Sequence, residues 1–223
     1  MYPDPPPGIL FFNNANSLAI DTQERIVVMT PAGNPFSYVV YRFNFDGSPD
    51  SSFSEMGRVI VPMSRNVYAL TDVAIQPDNK IVGVGGAINP ATSHWEFFVF
   101  RLQENGELDP SFGGTGLLWT PVTPGGGDDC ATGVAIQPDG KIVVAERANT
   151  LDPSANFDFA LVRYSSSGDL DDGFGAGGKV IISPLDDNLG RRAAIQPDGK
   201  IVILGYTCRG RGTRWPGSRE LFS

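Results

Sequence analysis

The residues able to do chemistry in this chain gather ahead of a short apolar run that recurs along it. Asp128 and Asp129 stand just before one copy of the run, and Asp187 and Asn188 fall on the same places before another. Asn13 aligns with Asp129, and Asp72 lies in the same region of its own copy. Carboxylates and amide oxygens brought to one confined place suit Ca²⁺, which takes hard oxygen ligands in flexible geometry. Cys130 is the one thiol nearby, and no histidine accompanies it, which disfavours zinc. The expectation is therefore that any bound metal is Ca²⁺ held by Asp128, Asp129, Asp187 and Asn188, with Asn13 and Asp72 as lesser ligands. The plainer reading is that these are polar loops on an acidic protein.

Other catalytic arrangements are poorly supported. His94 is the only histidine, so a Ser-His-Asp set has one possible base, in the loop 89–95. No CxxC or HExxH spacing occurs. The glycine clusters at 113–116 and 125–127 lead into neither Lys-Ser/Thr nor a helix, so neither is a phosphate loop. A second set of acids, including Asp46, Asp50, Glu104, Asp169 and Asp171, sits in Gly-containing turns. There an Asx side chain bonds its own backbone, which accounts for the acids without a ligand.

The elements that must position these groups repeat. AIQPDGKIVV at 135–144 returns as AIQPDNKIVG at 74–83 and AIQPDGKIVI at 194–203, with a worn copy, AIDTQERIVV, at 19–28. A period of about 60 residues built from short apolar runs means one supersecondary unit written several times. Pro-Asp-Gly between the first two runs is a tight hairpin turn, and Asn79 replaces the glycine in one copy. An Arg-bearing run follows, around Arg42, Arg101 and Arg163. Next come a turn and the landmark phenylalanines Phe53, Phe112 and Phe174, then a Gly-led run such as GKVII at 178–182. Val, Ile and Phe dominate these short runs, which favours strands, and no sustained helical period appears.

Four antiparallel strands repeated radially make a β-propeller blade. The expected fold is all-β: an apparently incomplete propeller with full four-stranded blades near 17–61, 69–119 and 131–182 and part of a fourth from 192. Residues 1–206 form this partial propeller, and the run 8–12 (GILFF) is placed to close the ring. The landmark phenylalanines are expected to be buried anchors. From 207 to 223 the repeat stops, and Arg209, Arg211, Arg214 and Arg219 give a basic end to a chain of net charge −8. That tail reads as an interrupted frame running into unrelated, disordered sequence; a natural disordered tail is the other reading.

The order GVAIQPDGKIVVAE, FALVRYSSSGDLDDGFG, GKVII resembles the NHL-type propeller repeat. The units AIQPDGKIVVA, FALVRY and SGDLDDGFGAGGKV more closely resemble the delta-sixty repeat family over roughly residues 8–206. The NHL resemblance implies GVAIQ strands innermost; the delta-sixty resemblance implies no known reaction and a parent protein secreted from or anchored on bacteria.

Composition narrows the partners. The acidic balance argues against nucleic acid, which needs Lys and Arg concentrated on one surface. No apolar run is long enough to span a membrane, and the start MYPDPPPG has no signal-peptide character. Unpaired strand edges in an unfinished ring predict self-association. The expected function is a non-catalytic binding or scaffold module for a small molecule, glycan or protein. The alternative is a Ca²⁺-dependent hydrolase of lactones or esters, for example acyl-homoserine lactones. It is similar to gluconolactonase-like and paraoxonase-like propellers at the level of fold.

Overall fold

The computed structural model describes residues 17–33, 36–62, 72–89, 91–93, 95–122, 129–148, 157–182, 187–208 and 220–222. They form three four-stranded antiparallel sheets and one of three strands. The first sheet comprises β1 (Ser17–Ile20), β2 (Ile26–Gly33), β3 (Phe36–Phe43) and β4 (Arg58–Pro62). The second comprises β5 (Asp72–Ile75), β6 (Ile81–Ile88), β7 (Trp95–Leu102) and β8 (Leu117–Thr120). The third comprises β9 (Cys130–Ile136), β10 (Ile142–Ala148), β11 (Asp158–Tyr164) and β12 (Lys179–Ile182). The fourth is β13 (Asp187–Ile195), β14 (Ile201–Cys208) and β15 (Glu220–Phe222). Each sheet pairs its strands in chain order, as a propeller blade does, and the only helical turn among the described residues is Glu55–Gly57.

Two boundaries differ from the sequence reading. Blade 4 opens at Asp187 rather than at 192, because its first strand continues through a register shift between Gly190 and Arg192. The segment 207–223, expected to stand apart, gives Thr207 and Cys208 to β14 and the whole of β15. β15 pairs with Ile203, Leu204 and Gly205, satisfying backbone groups that an edge strand would leave open. The run 8–12 and His94 lie outside the described residues.

The worn first turn folds like its sisters. Glu24 takes the left-handed conformation, φ 61°, at the place of Asn79, Gly140 and Gly199. The Asp21 carboxylate accepts from Gln23 N–H and Arg25 N–H, supplying locally what Pro-Asp-Gly supplies elsewhere.

Apolar clusters fill the spaces between successive blades. Val27, Met29, Tyr38 and Phe98 lie in the first, Val82, Val84, Val134 and Val144 in the second, and Val143, Ala145, Phe159 and Ile203 in the third. Toward the rim a polar latch joins each blade to the next. In blade 2, Arg101 Nε bonds Asp109 Oδ2 at 2.8 Å, and its guanidinium lies 4.7 Å from the centre of the Phe112 ring. Its Nη1 donates to the backbone oxygen of Ser166 in blade 3. Gly113 N–H donates to Ser167 O at 2.9 Å. Gly168, at φ 96°, presses on the Phe112 ring so closely that a Cβ there would come within 2.9 Å of it. Blade 1 repeats the pattern: Arg42 bonds Asp50, stacks on Phe53 and reaches Glu104 O, with Gly106 over the ring.

Blade 3 holds only the half of the latch that lies within itself. Arg163 bonds Asp171 at 2.8 Å and stacks on Phe174 at 4.3 Å. No turn of a following blade covers it among the described residues. Its side chain is 19% exposed, against 1% for Arg42 and 4% for Arg101. Phe53 and Phe112 are fully buried; Phe174 is half-buried.

This difference sets a stability prediction. Phe112→Ala should cost roughly 3–5 kcal/mol, the range for deleting a buried aromatic ring. Phe174→Ala should cost clearly less. Denaturant unfolding of the two variants measures it, and equal losses would show that the following blade contributes nothing to the anchor.

Candidate functional site

The structure does not bring the described members of the rim set together. Asp72 is buried at the start of β5. The Ser17 hydroxyl and Val134 N–H donate to its two oxygens, the latter at 3.1 Å, and Arg192 Nη1 lies 3.5 Å away. It thus pins the first strands of blades 1, 3 and 4 to that of blade 2. Asp129 is also fully buried, and its Oδ2 accepts from Val122 N–H at 3.1 Å. Val134, which Asp72 touches, is five residues along from Asp129, roughly 16 Å at the rise of an extended strand. Asp187 and Asn188 open β13, but their side chains, and all of Asp128 and Asn13, lie outside the described part. Among the described residues no group of three or more His, Cys, Asp or Glu is placed to hold a metal. Asp72 and Asp129 therefore do not fit a shared Ca²⁺ site.

The turn acids are bound up in the latches. Asp50 and Asp109 each accept from an arginine and from the amide and hydroxyl of a serine two residues on. Burial pushes both carboxyls up, but the serine donors and the arginine outweigh it and hold them below their ordinary value of 3.8.

Sequence reasoning missed Glu146. It lies on β10 in the face that also carries Ile142 and Val144, opposite Ala131 and Ala160. It is completely buried between blades 2 and 3, and neither carboxylate oxygen has a hydrogen-bond partner among the described residues. Burial foremost, then the Asp129 charge, pushes its pKa well above the ordinary 4.5, with Lys179 opposing. Cys130 is buried nearby and is pushed up to about 12, chiefly by desolvation, with Arg147 opposing, so it is an inert thiol. The signal for Glu146 was its place in the alternation of the second strand, where the sister repeats carry Thr30, Gly85 and Gly205.

A groove of about 750 Å³ runs along the outside of blades 1 and 2. Met56, Val59, Ile60, Leu108 and Pro110 give it apolar walls, and Glu55, Arg58 and Glu107 give it charge. Met56, Ile60 and Leu108 are exposed. The backbone here is unusual. Ser54 and Met56 hold φ of 51° and 57°, where blade 3 has Gly175 and Gly177 at 57° and 60°. A side chain in that region costs on the order of 1–3 kcal/mol. Blade 1 bears that cost and turns Met56 outward.

Opposed slopes with pH follow. The unfolded chain ionises Glu146 near 4.5 while the fold retains its proton. From that pH up to the raised folded value, stability should fall by about 1.4 kcal/mol per unit. Asp50 and Asp109 act oppositely: their contribution is present above 3.8 and is lost as pH falls through their lowered folded values. Stability should peak in mild acid. Glu146→Gln should match the parent at low pH and unfold at higher denaturant at pH 8. Parallel curves would mean that Glu146 is ionised in the fold and satisfied there.

A family comparison agrees on the architecture. Residues 76–112 and 137–174 match the model of a family described as Domain of unknown function (DUF5122) beta-propeller. Each segment runs from the hairpin turn to the landmark phenylalanine, the span that carries a latch. No curated protein matches the sequence. One similar solved structure is an oxidoreductase (glucose dehydrogenase) of Thermus thermophilus, at 15% identity and TM-score 0.45, covering 96% of this chain and 84% of that one. Another is a family 43 glycoside hydrolase of Bacillus licheniformis, at 12% identity and TM-score 0.46, covering 92% and 54%. A third is the extracellular domain of a one-component system of B. thetaiotaomicron, at 9% identity and TM-score 0.34, covering 89% and 27%. No helix among the described residues is long and apolar enough to cross a membrane. The blade topology and the two matched segments identify the chain as a β-propeller repeat protein.

Proposed function

We propose that the chain is a non-catalytic binding module of the delta-sixty type, in a secreted or surface-exposed setting, and that the groove along blades 1 and 2 receives its ligand. The carrying observation is the local departure of blade 1 from its sisters. Left-handed Ser54 and Met56 stand where glycines would be free of strain, and Met56 is exposed on the groove wall. Strain of this kind persists where the surrounding structure holds it, and it clusters at binding sites. The lining fits an extended peptide with aliphatic side chains. Among the described residues it holds no aromatic ring on which a sugar could stack.

The competing reading remains the Ca²⁺-dependent lactone or ester hydrolase. It would need Asp128, Asp129, Asp187 and Asn188 to assemble a site without Asp72, whose oxygens already serve Ser17 and Val134.

One set of measurements separates the two. The folded protein should turn over no lactone in a panel run with and without EDTA, and Ca²⁺ should leave its melting point unchanged. A peptide array should yield ligands whose binding falls at least tenfold in Met56→Lys and Leu108→Lys. Metal-dependent turnover, lost in Asp129→Ala, would replace the module with the hydrolase. Peptide binding indifferent to both lysine substitutions would move the site away from the groove.

A further inference from the structure

Every blade interface in this chain has the same polarity. Two alternate residues of a blade's first strand face the blade before it: Val73 and Ile75 pack in the first apolar cluster, Val134 and Ile136 in the second, Ala193 and Ile195 in the third. Two alternate residues of a blade's second strand face the blade after it: Val27 and Met29, Val82 and Val84, Val143 and Ala145, in the same three clusters. By repeat register the matching pairs left over are Leu18 and Ile20 on blade 1, and Val202 and Leu204 on blade 4.

These pairs face no blade among the described residues. Leu18 is 66% exposed, although its counterparts Val73 and Val134 are 5% and 6% exposed, and Ile20 is 63% exposed where its counterparts Ile75, Ile136 and Ile195 are half-buried. Leu204 is 40% exposed, while its counterparts Met29, Val84 and Ala145 are fully buried. One copy thus presents one flank of each kind, and the three internal interfaces show how the two kinds fit.

We propose that a second copy of this chain occupies both flanks, its blade 4 against blade 1 and its blade 1 against blade 4. The contact is head to tail, and two such contacts close the pair around a two-fold axis. The apolar residues Leu18, Ile20, Val202 and Leu204 then meet as their counterparts do within the chain. The pairing does not depend on the groove, so Met56→Lys should leave the mass unchanged.

Light scattering on the full chain tests it. The parent should have the mass of two chains. Ile20→Glu and Leu204→Glu should each give the mass of one chain. Both positions are exposed in the single copy, so near-ultraviolet circular dichroism should stay native. An equal mixture of the two variants should recover a two-chain species, because the intact blade 4 flank of one meets the intact blade 1 flank of the other. Failure of the mixture to recover overturns the head-to-tail contact. So does a dimer broken by Ile20→Glu but not by Leu204→Glu, which would join blade 1 to blade 1. A monomeric parent would show the flanks covered by the chain's own residues, and an open-ended series of masses would rule out closure by two copies.

Discussion

The latch of arginine, aspartate and phenylalanine is the interaction on which this propeller depends. An isolated blade cannot bury both faces, so the fold exists only as far as successive blades hold one another. Arg101 does this with every part of its head group: Nε to Asp109, Nη2 to Ser111, Nη1 to the next blade, and the planar face on Phe112. Arginine suits this role because its guanidinium is planar, always charged and able to donate in several directions while stacking. The lysine of the hairpin turn adds a second charge, with Lys80 Nζ 3.5 Å from Asp109. Such a network needs every partner, since a buried charge left alone is costly.

The latch also accounts for the acids conspicuous in the sequence, which among the described residues gather into no group placed to hold a metal. The turn carboxylates are occupied by arginine and by the backbone, and Asp72 links three neighbouring blades at the centre. Among the described residues the buried carboxylate without a hydrogen-bond partner is Glu146, sealed between blades 2 and 3. Its two bare oxygens mark a local conflict in the packing between blades 2 and 3. The fold tolerates a neutral carboxyl there more readily than an ionised one.

Variation among the repeats carries more information than the repeats themselves. Where blades 2 and 3 have glycine after the landmark phenylalanine, blade 1 has Ser54-Glu55-Met56, keeping left-handed backbone and opening a groove against blade 2. The same comparison exposes the unfinished side of the molecule. Arg163 and Phe174 are built like their sisters but have no covering turn among the described residues, where β15 gives blade 4 three residues.

The sequence alone determined the strand order and the blade unit, because a period-two alternation of apolar residues and a glycine or asparagine turn are local properties. It also marked Phe53, Phe112 and Arg101 as landmarks, through their fixed places in each copy. What those residues touch was decided only by the tertiary structure. Nothing adjacent to Arg101 in sequence says that its partner is a carbonyl at Ser166, nor that Gly168 must lie on Phe112. The same holds for the rim acids. Alignment by repeat placed Asp72 and Asp129 in one region, but the fold sends one to Val134 and the other to Val122. Position within a repeat fixes the height along a blade; the direction a side chain takes, and the partner that satisfies it, depend on how neighbouring blades pack.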